Sequence, residues 1–330
     1  MNNASDPQYQ EKLGAIAARL KSHTGSIVVA AHEDPDGDAL GSVLGLTRAL
    51  QSIGLQAVPI GVPPKYLEFL PKPNELTSSL AVLPADALLV ALDSAEVTRV
   101  IGVPMDQVGV PIINIDHHGS NPRFGEIALV SPDKAATALM VKDLIAALGV
   151  PLTAEIAAPL LTGVITDTGF FRNSNANGEV LRAAADLVEA GASMVAINEA
   201  LGITTRNSFK LQSEVYATIA YDLDGKVISA YVNDAILERV GCTWEEVESL
   251  VSHLRSAEGT LLAVLYKDYG DKVKVSMRSK ANVSAQNVAV ALGGGGHVPA
   301  AGATVQGNLA QVRAALLLEA QRELKRVGAL

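Results

Sequence analysis

The segment Asp116-His117-His118 follows directly on an apolar run at residues 111–115. Such a run is typical of a buried strand, so one carboxylate and two imidazoles would lie at the strand's carboxyl end. In an open α/β sheet, ligands bind at that edge. A satisfied core histidine explains one imidazole but rarely two beside an acid. The triplet therefore favours metal binding over a packing role.

A second cluster lies upstream, where His32, Asp36 and Asp38 follow the apolar run at residues 26–31. Asp36 and Asp38 are two residues apart, so they can point toward two different ions while sharing one loop. The alternative is a turn at residues 34–37 with Asp38 capping the next helix. Two ligand-rich strand ends in one domain predict a site that holds more than one metal.

Two further acids follow apolar segments. Asp93 ends the run at residues 87–92, and Asp167 stands in the sequence Thr-Asp-Thr-Gly after an apolar helix. Each is weak evidence alone, because a single carboxylate at a strand end is usually a helix cap. With the two clusters they complete a set of four acids and two histidines: Asp36, Asp38, Asp93, Asp167, His32 and His117.

This set contains carboxylates and imidazoles without a thiolate. It therefore favours manganese, allows magnesium, and argues against structural zinc. Two divalent ions ~3.5–4 Å apart suit in-line displacement at phosphorus, because one activates the attacking oxygen and the other stabilises the leaving oxygen.

Near the C-terminus, Arg278 and Ser279 end a predicted strand, and residues 293–296 are four glycines followed by His297. Glycines let backbone N–H groups approach a ligand closely, and an arginine can grip a phosphate or carboxylate with two parallel hydrogen bonds. The alternative is a helix C-cap with a flexible turn. The neighbouring Arg278 and His297 favour an anion-binding pocket.

The elements that must position these residues change in kind along the chain. Strands alternate with helices up to residue 190, which predicts a mostly parallel α/β sheet with helices on both faces. Beyond a helical stretch at 193–218 we expect a smaller α+β domain. It contains strand pairs at 215–223 with 226–232 and at 260–266 with 272–278, followed by helices at 284–292 and 308–327.

Composition restricts the function classes. The net charge is −9, so no global basic field attracts duplex nucleic acid. The single cysteine, Cys242, excludes a disulfide framework and fits a reducing cytoplasm. We find no signal peptide and no apolar run near the ~20 residues that cross a bilayer. We therefore expect a cytoplasmic protein without a membrane partner.

The order His-x3-Asp-x-Asp, Asp, Asp-His-His, Asp-Thr-Gly and Gly-Gly-Gly-His closely resembles the DHH/DHHA1 phosphoesterases over essentially the whole chain. In size the chain resembles the stand-alone bacterial members. The resemblance implies a catalytic metal-binding DHH domain at residues 1–190, a helical linker at 191–214, and a DHHA1 substrate-binding domain at 215–330 across a cleft.

The resemblance also implies an activity. These bacterial members degrade short single-stranded RNA oligonucleotides (nanoRNA) to mononucleotides and dephosphorylate 3′-phosphoadenosine 5′-phosphate (pAp). Short single-stranded DNA is a further expected substrate. The implied cofactors are two Mn²⁺ ions, with Mg²⁺ or Co²⁺ as substitutes. Family members are often dimers, so a homodimer is expected, although no stretch of the chain identifies an interface.

Roles carry over residue by residue. The implied metal ligands are His32, Asp36 and Asp93 for one ion and Asp38, His117 and Asp167 for the other, with Asp93 bridging the pair. His118 would face the scissile phosphate, and Asp116 would orient the neighbouring imidazoles. The implied substrate contacts are His118, Arg172, Arg278, Ser279, Gly295, Gly296 and His297.

One position departs from the family pattern: Asn173 follows Arg172 where family members often carry an aromatic residue. Aromatic residues make up 4% of the chain, which favours short oligonucleotides over long stacked strands.

Three alternatives remain. An exopolyphosphatase or pyrophosphatase is disfavoured by Arg278 and the glycine run, which resemble a nucleotide-gripping domain. A phosphodiesterase for linear or cyclic dinucleotides (pApA or c-di-AMP) is close to the leading hypothesis. A non-catalytic nucleotide sensor is disfavoured because it would be free to lose ligands such as Asp38 or Asp167.

Overall fold

The computed structural model describes residues 6–100, 102–103, 109–203, 205–247 and 250–330. The chain divides into two compact units, and the division falls between Ile203 and Thr204. Thr204, within the predicted linker, lies outside the described residues.

The N-terminal unit contains a five-stranded parallel sheet with the strand order β2-β1-β3-β4-β5. Its strands are β1 Ile27–Ala30, β2 Ala57–Ile60, β3 Leu88–Leu92, β4 Ile112–Asp116 and β5 Ile127–Val130. Its helices are α1 Pro7–Lys21, α2 Gly37–Ser52, α3 Thr137–Ala147, α4 Ala154–Asp167, α5 Gly178–Glu189 and α6 Met194–Leu201. The predicted parallel α/β architecture is confirmed.

The two faces of this sheet are covered differently. On one face Ile27, Val29 and Val90 join a single apolar core with side chains from all six helices. On the other face Val28 and Ala30 pack with Leu83, Val100 and Val103, which come from the segments before and after β3. Among the described residues, the side chains that the six helices contribute to these two cores belong to the core on the first face.

Helices α2 and α4 approach each other at glycines. A Cβ atom added to Gly41 would lie 2.2 Å from the carbonyl oxygen of Pro159, and one added to Gly163 would lie 2.9 Å from Asp38 Oδ1. Only glycine permits such spacing, so these residues bring Asp38 on α2 close to the helix that ends in Asp167.

The C-terminal unit contains a six-stranded mixed sheet with the order β10-β11-β9-β8-β7-β6, in which β7 and β8 are parallel and the other pairs antiparallel. Its strands are β6 Ala220–Asp222, β7 Val227–Asn233, β8 Leu262–Asp268, β9 Lys272–Ser279, β10 Gly295–His297 and β11 Ala300–Gln306. Its helices are α7 Arg206–Tyr216, α8 Asp234–Val240, α9 Leu250–Leu254, α10 Ala285–Ala291 and α11 Leu309–Arg326.

Both predicted hairpins are present, as β6 with β7 and β8 with β9. The first begins later than expected, because α7 continues to Tyr216 and β6 starts at Ala220. Helices α8 and α9 and strands β10 and β11 were not predicted from the sequence. Strand β11 escapes detection because small residues and glycine give its sequence, AAGATVQ, little apolar alternation.

Within the described residues, no helix combines the length and the apolar character that crossing a membrane requires.

Candidate active site

The predicted metal ligands gather at the carboxyl edge of the parallel sheet and at the helix ends beside it. Their ligand atoms form two groups in which all atoms lie within 4.8 Å of one another. One group is His32, Asp36 and Asp93, and the other is Asp38, His117 and Asp167. All six residues that sequence spacing selected are therefore brought together.

Asp93 lies between the two groups. Its Oδ2 is 3.6 Å from Nε2 of His32, and its Oδ1 is 3.5 Å from Nε2 of His117. The residue follows β3 directly with a φ of 50°, in the left-handed region that non-glycine residues seldom adopt. Such backbone strain is typical of functional sites. Here it accompanies a carboxylate whose two oxygens face different imidazoles.

Asp36 and Asp38 are held by helix N-termini in different ways. Asp36 caps α2, and its Oδ1 accepts from the N–H groups of Asp38 and Ala39, both at 3.0 Å. Asp38 is fully buried and accepts from the N–H of Thr137 at 2.6 Å and that of Ala138 at 2.8 Å, at the start of α3. The helix cap is therefore Asp36, and not Asp38 as the alternative reading required.

The histidines that face Asp93 have their other nitrogen engaged. Nδ1 of His32 is 2.6 Å from the carbonyl oxygen of Glu33, and Nδ1 of His117 is 3.3 Å from that of Lys134. Because a carbonyl only accepts, Nδ1 donates in each ring, and Nε2 is the nitrogen that faces the acids.

His118 is held differently. Its Nδ1 lies 2.7 Å from Oδ1 of Asp116, and this hydrogen bond raises the pKa of His118 to about 9. Oδ2 of Asp116 accepts from Asn121 Nδ2 at 2.6 Å, and that amide also contacts Asn114 Oδ1 at 2.8 Å. Asp116 thus orients one of the two imidazoles that we expected it to orient, whereas a backbone carbonyl orients His117.

The electrostatics of the cluster indicate a need for cations. Burial, and then the charges of Asp36 and Asp93, raise the pKa of Asp167 to about 8. Burial and neighbouring carboxylates also raise the pKa values of Asp36 and Asp38. Although burial opposes it, the imidazoles of His32, His117 and His118 hold the pKa of Asp93 below its usual range.

This donor set fits two divalent ions. Buried carboxylates that repel one another are stabilised by positive charge, and the clustered oxygens and imidazole nitrogens are ligands of manganese and similar ions.

The loop after Asp167 has an unusual backbone. Gly169, Phe170 and Phe171 all have positive φ angles, and the Thr168 hydroxyl accepts from the Phe171 N–H at 3.1 Å. Arg172 follows on the exposed surface, with its guanidinium carbon 5.8 Å from the centre of the Phe170 ring. Arg172 is therefore accessible to a ligand.

In the C-terminal unit, a 650 Å³ pocket is lined by residues of β9, the glycine run and β11. Arg278 lines it, as do Gly295 and Gly296. Lys274 and Ser276 line it too, because they share a face of β9 with Arg278. Alternation along the strand is the signal that could have selected them.

Two predicted substrate contacts lie elsewhere. Ser279 is buried, and its hydroxyl donates to the carbonyl oxygen of Val298 at 3.0 Å, so this group is engaged within the domain. Ser279 is adjacent to Arg278 in β9, so its side chain lies on the opposite face of the strand. His297 is exposed on β10 and is not among the residues that line the pocket.

Comparison with known proteins agrees with this geometry. The model of the DHH family, N-terminal domain, matches residues 26–164, and that of the DHHA1 domain matches residues 224–325. The chain is 47% identical over 328 residues to the bifunctional oligoribonuclease and PAP phosphatase NrnA of Thermus thermophilus, covering 99% of this chain and 98% of that protein. The chain belongs to the DHH family.

Two other similar proteins are less identical in sequence to this chain. The protein of the same name from Bacillus subtilis is 27% identical over 285 residues, which cover 85% of this DHH-family chain and 89% of the relative. An exopolyphosphatase-related protein from Bacteroides fragilis superimposes with a TM-score of 0.85 at 21% identity, covering 96% of this chain and 97% of that one. The latter likeness establishes the shared fold.

Proposed function

We propose that this DHH-family chain is a manganese-dependent phosphoric ester hydrolase that degrades short RNA oligonucleotides to mononucleotides and removes a phosphate from pAp. The observation that carries the proposal is Asp93, whose two carboxylate oxygens face His32 and His117 in two adjoining groups of ligands. The full-length similarity to the Thermus bifunctional oligoribonuclease and PAP phosphatase supports the choice of substrates.

In this proposal His32, Asp36 and Asp93 would hold one Mn²⁺, and Asp38, His117 and Asp167 would hold the other, with Asp93 placed to contribute to both. Bound metal ions supply charge neutralisation at phosphorus and lower the pKa of water. The chain's own backbone and side chains hold the ligands in position. Asp38 stays fixed because its carboxylate accepts two N–H groups of α3, at 2.6 and 2.8 Å.

His118 would act on the phosphate. Its Nδ1 lies 2.7 Å from Oδ1 of Asp116, so Nε2 is the nitrogen left to face a substrate, and the raised pKa of the ring favours its hydrogen-bond-donating form. Its side chain is 34% exposed, compared with 2% for Asp93, so it can reach a substrate oxygen. We assign it to stabilising negative charge that develops on the phosphoryl oxygens.

Phosphate recognition would use Arg172 in the N-terminal unit and Arg278, Gly295 and Gly296 in the C-terminal unit. The glycines let backbone N–H groups approach an anion, and guanidinium groups bind phosphate oxygens in pairs.

For the domain boundaries we propose those that the sequence predicts, with a DHH domain at residues 1–190, a linker at 191–214 and a DHHA1 domain at 215–330.

Turnover of a labelled RNA dinucleotide and of pAp tests the proposal. With added Mn²⁺ we expect release of mononucleotide from the first and of inorganic phosphate from the second, and a chelator should stop both. Absence of metal-dependent product from either substrate would contradict it. Inorganic pyrophosphate is the control substrate, which we expect to be hydrolysed more slowly.

A further inference from the structure

Three of the proposed metal ligands take hydrogen-bond partners from one short stretch, residues 131–138, here called the positioning segment. Thr137 N–H and Ala138 N–H donate to Asp38, and the Thr137 hydroxyl donates to Asp93 Oδ1 at 3.0 Å. The carbonyl oxygen of Lys134 lies 3.3 Å from His117 Nδ1. The placement of this segment therefore sets the placement of the ligands.

For His117 the contact decides which nitrogen is free. Nε2 lies 3.4 Å from Oδ2 of Asp167 and 3.5 Å from Oδ1 of Asp93, so this nitrogen faces the second ligand group. An imidazole that binds an ion through Nε2 carries its proton on Nδ1, and this N–H donates a hydrogen bond to the carbonyl oxygen of Lys134. If the carbonyl oxygen of Lys134 moved away, neither the tautomer of His117 nor the orientation of its ring would be fixed.

The side chain of Lys134 anchors the positioning segment to three helices. It is 1% exposed, and its Nζ contacts Asp143 of α3 at 2.9 Å and Glu179 of α5 at 2.5 Å. The same ammonium lies 4.9 Å from the centre of the Tyr9 ring on α1, and the Tyr9 hydroxyl donates to Asp143 at 2.9 Å. Burying a lysine is costly unless it is paired, and here two carboxylates and an aromatic face compensate it.

We infer that Lys134 is a positioning residue for the second metal position, acting through its own carbonyl on His117 and through its side-chain anchor on the positioning segment. This inference rests on the two-metal site proposed above. A purely structural lysine would stabilise the fold without affecting metal affinity, so metal affinity is the quantity that separates the two roles.

The test compares Lys134→Met with Lys142→Met in the full chain. Lys142 also joins α3 to α5, through a 2.7 Å contact with Asp186, but that carboxylate is 55% exposed and Lys142 lies outside the positioning segment. We expect Lys134→Met to weaken Mn²⁺ binding at the Asp38–His117–Asp167 position by roughly 10- to 100-fold, the usual cost of losing a ligand-orienting partner. Lys142→Met should bind two ions as the wild type does.

Calorimetric titration with Mn²⁺ measures the affinities, and electron paramagnetic resonance shows whether a spin-coupled pair of ions or a single ion is bound. Wild-type affinities and a coupled pair in folded Lys134→Met would overturn the inference, whatever the change in melting temperature. A wild-type chain that binds no Mn²⁺ would overturn the proposed function as well. Failure of the inference alone appears in the variant, whereas failure of the proposed function appears already in the wild type.

If Lys134→Met does not fold, Glu179→Gln takes its place, because it removes one anchor charge and keeps the lysine. We then expect a loss of Mn²⁺ affinity on the order of tenfold at the same position. An unchanged affinity in Glu179→Gln would overturn the inference.

Discussion

His117 and His118 are adjacent in the chain and their rings are 4.6 Å apart, yet they have different partners. A backbone carbonyl fixes His117, whereas the buried carboxylate of Asp116 fixes His118 and raises its pKa. His117 thereby turns Nε2 toward Asp93 and Asp167, whereas His118 has Nδ1 bound to a carboxylate. At the scale of single residues, this difference in partners supports the proposal that His117 binds metal and His118 contacts phosphate.

Replacing His118 by alanine should separate metal binding from turnover. We expect His118→Ala to bind two Mn²⁺ ions and to lose about 10²- to 10³-fold in kcat, the usual cost of removing a donor to developing negative charge. Metal content and steady-state hydrolysis of the RNA dinucleotide are the measurements.

His253→Ala is the matched control, because His253 is exposed and contacts Tyr216 in the other unit. Asp93→Ala, in contrast, should lose both ions. Full activity in His118→Ala would refute the role given to His118.

The ligands His32, Asp93 and His117 could be predicted from the sequence because each follows an apolar run that forms a strand, and strand ends of a parallel sheet meet at one edge. Their partners could not. Thr137 contacts Asp38 across 99 positions of the chain, and nothing local to Thr137 marks it as part of the site. The anchoring of Lys134 to Glu179 spans 45 positions and is equally invisible to spacing.

At the scale of elements, the crossing of α2 and α4 determines how near Asp38 comes to Asp167. Helix α2 carries glycines at positions 37, 41 and 45, and an added Cβ at any of them would lie within 2.6 Å of an atom of α4. The sequence predicted both helices but not their contact. Glycines spaced by four residues indicate that another element packs closely against α2, but they do not identify that element.

Substituting Gly41 should therefore destabilise the N-terminal unit. In Gly41→Ala the new methyl would meet the Pro159 carbonyl at 2.2 Å, so the helices must separate, at a cost of about 1–3 kcal/mol. Mn²⁺ affinity should fall as Asp38 moves away from Asp167. Chemical denaturation and a metal titration measure the two effects.

Gly14 of α1 is the control, because an added Cβ there would meet nothing within 4 Å. Gly14→Ala should raise stability by roughly 0.5–1 kcal/mol through helix propensity. Equal stabilities of Gly41→Ala and the wild type would show that the helices can separate without cost.

At the scale of the whole molecule, the two units have separate apolar cores, and their acidic groups respond differently to pH. In the C-terminal unit, Glu323 of α11 accepts from Arg326, from Asn287 and from the Ser284 N–H at 2.7 Å. The hydrogen bond from Arg326, and after it those from Asn287 and Ser284, lower the pKa of Glu323 to about 2 although burial opposes this.

The stability that Glu323 contributes should be lost in acid. A carboxyl group with a folded-state pKa below its unfolded value stabilises the fold above the unfolded pKa of 4.5, and the benefit disappears as the pH falls toward about 2. We expect Glu323→Gln to cost on the order of 2 kcal/mol at pH 7 and much less at pH 3.

The single tryptophan, Trp244, packs against the core of the C-terminal unit, so its fluorescence during urea unfolding reports on that unit. Glu319→Gln is the control, since the Arg322 that pairs with Glu319 is 67% exposed and such pairs contribute little. A pH-independent cost of Glu323→Gln would contradict the prediction.

The outermost strands of the six-stranded sheet, β10 and β6, have three residues each, whereas the four inner strands have seven or eight. A sheet edge is a template for pairing with another chain, and a short edge offers few unpaired groups. In β10 two of the three residues are glycines, which weaken strand pairing further. The glycine run can therefore line the pocket beside β9 and β11 without making the protein prone to edge-to-edge aggregation.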